Sequence, residues 1–179
     1  MTVYSLPCPF KVSHQLEAIT MNEIIVSGGT KLQKKLVMEA ANYYLKDLIP
    51  AYSVMLLIKL RKDLFKKEGL KADCIWEDDR NKPREFNITI DSSMKMHGVL
   101  RALAHECVHV KQFVKREMCD TDDCYITKWK GQPYHTDKGS YWELPWEIDA
   151  YGREVGLYEM FVTNKRYSKK SWYAKDRDY

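Results

Sequence analysis

The stretch from His97 to about Met118 leaves the least freedom in how this chain can fold. Val99, Leu100, Leu103, Ala104, Cys107, Val108, Val110, Phe113 and Val114 recur at helical spacing on more than one face. A helix that is apolar nearly all round is a buried one. Within it the chain places Leu103-Ala104-His105-Glu106-Cys107-Val108-His109. Burying two imidazoles and a carboxylate without a shared partner is costly, so the segment calls for one. Histidines four residues apart stack on one helix face and can converge on a single ion. Two neutral imidazoles suit zinc and leave room for a third protein ligand and a water. Glu106 projects from an adjacent direction, where its carboxylate reaches the water rather than the metal. The expected centre is therefore one zinc ion on His105 and His109, with Glu106 as general base.

Around that helix the patterns alternate between strands and helices. Thr30 is placed to cap a helix over Lys31–Leu48, with Leu32, Leu36, Ala40, Tyr43 and Tyr44 near one face and Pro50 after its end. Tyr52–Leu60 reads as a strand, Cys74–Trp76 as a short one, and Phe86–Asp91 alternates as a half-buried strand should. Asp78–Pro83 supplies turn residues. Tyr125–Trp129 with Gly131 suggests a hairpin, and Pro145 opens a last helix to about Val162. Residues 1–29 read as irregular apart from a short segment around Ile24–Val26. The order implies an α+β fold: N-terminal helix, small mixed sheet, buried helix, hairpin, C-terminal helix.

Three residues compete as third metal ligand. Glu147 projects from the last helix, where small Ala150 one turn on permits close approach; Glu143 precedes that helix, and His135 lies in a loop. Helix geometry favours Glu147.

His-Glu-x-x-His followed by a helix bearing Glu-x-x-Ala resembles the minimal gluzincin metallopeptidases, closest to small phage-type and ImmA/IrrE-type peptidase domains, over roughly residues 30–162. The resemblance implies a zincin-like fold and hydrolysis of peptide bonds in a peptide or protein substrate. It also implies zinc ligands His105, His109 and Glu147, with Glu106 as base. In that family the strand before the zinc helix lines the cleft and pairs with extended substrate, a role that would fall to Phe86–Asp91. Larger gluzincins often carry an aspartate four residues after the ligand glutamate to orient a zinc histidine; Tyr151 stands there in this chain. Another acceptor must then serve, and Tyr151 or Tyr141 is free to donate to an oxyanion instead. SprT-like domains share the helix motif but take a histidine from a His-Gly pair as third ligand. His135 is followed by Thr136, a departure from that pattern.

The formal charge of +4 is concentrated at one end. Residues 164–179 hold six basic and two acidic side chains, leaving the body balanced at 23 against 23. With Tyr167, Trp172 and Tyr173 interleaved, this tail could touch nucleic acid, though such ends are more often solvated or packed on their own domain. We expect one domain over residues 1–163, followed by a tail over 164–179 that is dispensable for folding. Five cysteines (Cys8, Cys74, Cys107, Cys119, Cys124) without a secretory signal read as free thiols; Cys119 and Cys124 bracket an acidic turn, and the alternative there is a bridge or a metal. No apolar run nears the roughly 20 residues that span a bilayer. The expectation is a cytoplasmic protein with no membrane partner, in the host cytoplasm if phage-encoded.

Overall fold

A computed structural model describes residues 21–175. Cys8 and most of the irregular N-terminal stretch lie outside them. Strand β1 (Glu23–Gly28) leads into helix α1 (Lys31–Leu48), strand β2 (Met55–Arg61), short helix α2 (Leu64–Glu68), and strands β3 (Ala72–Trp76) and β4 (Glu85–Asp91). The central helix α3 (Met96–Val114) is followed by strands β5 (Met118–Asp120), β6 (Ile126–Trp129) and β7 (Gln132–His135). A 3₁₀ turn at Tyr141–Glu143, helix α4 (Pro145–Asn164), a second 3₁₀ turn at Tyr167–Lys169 and helix α5 (Ser171–Lys175) complete the order. The α+β expectation holds.

The main sheet has the order β1-β2-β4-β3, with β3 antiparallel to β4 and the other pairings parallel. The period-2 pattern sends Leu56, Ile58, Phe86, Ile88 and Ile90 to one face, where all are fully buried beneath α1 and α3. Helix α1 starts as the sequence indicates: the Thr30 hydroxyl accepts from the Gln33 amide, and the Gln33 side chain accepts from the Thr30 amide. Its buried stripe runs through Leu36, Ala40, Ala41, Tyr44 and Leu48, leaving Leu32 outside the core.

The expected helix to Met118 stops four residues early. Lys115 caps α3, and Arg116 takes a left-handed conformation at φ 61°. The Glu117 amide then donates to the Gln112 carbonyl and the Arg116 amide to that of Phe113. This is a Schellman stop, usually made by glycine; with arginine there, the sequence carries no stop signal. Met118 begins β5, so the expected hairpin is a three-stranded antiparallel sheet, β5-β6-β7.

The C-terminal segment is tied to the body. Tyr173 is buried and stacks on Tyr158, while Tyr167 packs on Phe161 and donates its hydroxyl to Glu39. The dispensable-tail expectation therefore gives way: rings spaced at 167, 172 and 173 by two short helical turns show no single periodicity, yet they extend the core. Tyr173→Ala should cost about 3 kcal/mol, as for other large buried rings. For a chain of this size that lowers Tm by about 6–12 °C. Thermal melting checks this, and a shift under about 2 °C would return the tail to the solvent. No helix among the described residues is long and apolar enough to cross a membrane.

Candidate metal centre

Helices α3 and α4 pack side by side, and their contact brings the proposed ligands together. Ala150, fully buried, gives α4 its close approach. His105 Nε2 lies 3.0 Å from His109 Nε2 and 3.2 Å from Glu147 Oε2, while His109 Nε2 lies 3.5 Å from Glu147 Oε1. Tetrahedral zinc with ligand bonds of about 2.0–2.1 Å places its donors about 3.3 Å apart. The three spacings bracket that value, so the cluster has the dimensions to hold a metal ion.

The outer partners show which ring atoms face inward. His105 Nδ1 is 3.1 Å from Glu154 Oε2, and His109 Nδ1 is 2.8 Å from Gln112 Oε1. Both partners accept, which assigns the ring protons to Nδ1 and leaves each Nε2 a lone pair. Two nitrogen lone pairs and a carboxylate then converge, an arrangement that could hold a metal ion. Without a metal a proton takes that place. Burial works against a charged His105, but its bonds to Glu147 and Glu154 outweigh this and raise its pKa to about 9. Burial works against a charged Glu147, but its contacts with His105 and His109 and the hydrogen bond from Tyr141 outweigh this and hold its pKa near 2.

Glu106 follows His105 in the chain and is itself buried. Burial pushes its carboxyl up to about 7, partly offset by His109 and His105. It shares with His105 an open cleft of about 750 Å³. The Tyr151 ring, also on the cleft wall, meets the His105 ring edge-on at 4.4 Å between centroids. Tyr141 reaches the same wall and donates its hydroxyl to Glu147 Oε2 at 2.5 Å.

The other two ligand candidates lie elsewhere. His135 is exposed on β7 and faces Asp137 at 3.7 Å. Glu143 caps the 3₁₀ turn before α4, accepting from the Ser140 amide. Cys119 and Cys124 are free thiols and belong to no metal-sized group among the described residues. The strand expected at the cleft also changes. Strand β4 is hydrogen-bonded on both edges, to β2 and β3, so Phe86–Asp91 has no edge to offer; the sheet's free edge beside the cleft belongs to β3, whose Ala72 lines it.

Sequence reasoning missed Glu154 and Gln112, though both had a signal. Glu147, Tyr151 and Glu154 stand at i, i+4 and i+7 on one face of α4, so the acceptor sits one turn beyond the position first considered. Gln112 is at i+3 from His109, and its amide is fixed by donating to the Trp146 carbonyl and to Asp149. Loss of such orienting partners typically weakens metal binding 10–100-fold. Glu154→Ala should show that drop in a competitive chelator titration with the fold retained; unchanged affinity would leave Glu154 a mere partner of Arg101. No protein-family model, curated protein or solved structure matches the chain.

Proposed function

We propose that this chain is a zinc-dependent hydrolase cleaving peptide bonds, with His105, His109 and Glu147 as ligands of one zinc ion and a zincin-like arrangement around them. The observation that carries it is the position of Glu106: a buried carboxylate next in the chain to the ligand candidate His105, with which it lines the open cleft. When bound, the ion supplies Lewis acidity, polarising a carbonyl and making a water easier to deprotonate. Glu106 takes the proton of the attacking water and returns it to the departing amine, so the carboxylate is regenerated in each cycle. Its raised affinity for a proton suits both halves of that exchange. Tyr151, whose ring packs on His105 and lines the cleft, is the proposed donor to the developing oxyanion. Tyr141 holds Glu147 in place through its short hydrogen bond. Glu154 and Gln112 keep both histidines in the ligating tautomer. The free edge of β3 supports an extended substrate backbone lying along the cleft.

A SprT-like or nucleic-acid-associated role finds less support. His135 lies outside the cluster, and Tyr173, one of the rings that would stack on bases, is buried. Removal of metal is the first test. Chelation should abolish cleavage of an unfolded protein such as denatured casein, and stoichiometric zinc should restore it. Cleavage that survives chelation contradicts the proposal.

A further inference from the structure

The cleft beside the metal cluster concentrates exposed rings that contribute little to the core. Trp142 is 65% exposed, Phe65 53% and Tyr141 50%, and all three line this cleft. Phe65 comes from α2, on the side formed with β3, whereas Trp142 and Tyr141 come from the 3₁₀ turn before α4. Trp142 is joined to the metal cluster by a ladder of rings. Its ring lies 4.9 Å from that of Tyr151, whose ring lies 4.4 Å from that of His105. The indole is therefore no more than about 9 Å from a ligand histidine. An extended chain advances about 3.3 Å per residue, so a side chain resting on Trp142 belongs to a residue within about three of the bond held at the cluster.

The cleft also carries cations, Lys71 and Arg101, which raises an acidic side chain as the rival ligand. Arg101, the one next to the cluster, already donates to Glu154 at 2.6 Å. Lys71 is exposed, where a charge pair contributes little. The recognition surface left open is aromatic. Rings pair favourably in stacked or edge-on geometry at centroid separations of about 4.5–7 Å, beyond the gain from burying their area.

Resting on the peptidase reading above, we infer that the cleft selects peptides with an aromatic or large apolar side chain within three residues of the scissile bond, taken up between Trp142 and Phe65. The measurement is equilibrium binding to zinc-loaded Glu106→Gln protein, which keeps the cleft without turnover. The probes are three capped hexapeptides, five alanines with one central Phe, Ala or Glu. The Phe peptide should bind at least tenfold more tightly than the Ala peptide. Trp142→Ala in the same background should reduce that ratio to about one, and Trp142→Phe should restore most of it. Phe65→Ala, elsewhere on the cleft lining, should lower it as well. Equal affinity for the three peptides, tighter binding of the Glu peptide, no binding of any, or a preference that survives Trp142→Ala each overturns the inference. The two proposals fail separately. A Trp142-dependent preference in a protein whose wild type never cleaves the Phe peptide removes the hydrolase and keeps the binding cleft. Cleavage without any aromatic preference does the reverse.

Discussion

Glu106→Gln is expected to reduce turnover of an unfolded protein by about 10²–10⁴-fold, the usual contribution of a general base, or more if Glu106 also positions the water. The substitution conserves shape and removes only the capacity to take a proton. Glu106 is not among the three converging donors, so metal content should be unchanged. Stability should not suffer, because burial already disfavours the charged carboxylate, and a neutral amide of the same size escapes that cost. The expected outcome is thus a dissociation: metal retained, fold retained, turnover nearly lost. It separates catalysis from a zinc site that only holds the fold, which shows no turnover in either form. Wild-type cleavage that persists in the variant would mean a different base or a contaminating protease.

How much of this centre was legible in the chain depends on whether the signal was local. The i, i+4 spacing of His105 and His109 fixes a shared face once the segment is helical, and apolar residues on every side make that helix buried. The Thr30–Gln33 capping box and Pro145 at the first position of α4 mark helix starts through side chains written in the sequence. What escaped depends on geometry without a residue signature. Arg116 adopts a left-handed conformation that glycine would have announced, so α3 does not end where the sequence suggests. Strand order is likewise invisible: nothing in Phe86–Asp91 says that β3 adds outside it and takes over the sheet edge. The acceptor for His105 stands two helical turns after Glu147, at Glu154, rather than at Tyr151 one turn after it. In the tail, Tyr167, Trp172 and Tyr173 sit among exposed lysines, so mean polarity hides ring contacts that reach back to Phe161 and Tyr158.

The proposed centre rests on three specific donors, of which Glu147 is the one least fixed by local sequence. Apparent binding energies of about 10–16 kcal/mol for zinc sites, shared among a few ligands, put the loss of one at roughly 3–5 kcal/mol, or about 10²–10⁴ in affinity. Glu147 also bridges both histidines in the cluster, so its removal leaves two lone pairs facing each other with no anion between them. His135 and Glu143, by contrast, have exposed positions and partners of their own. The decisive measurement is a competitive zinc titration of the wild type beside His105→Ala, His109→Ala, Glu147→Ala, Glu143→Ala and His135→Ala. One ion per wild-type chain, a loss of at least a hundredfold in the first three variants and little change in the last two is the predicted result. Wild-type affinity in Glu147→Ala, or a collapse of binding in His135→Ala, would contradict it.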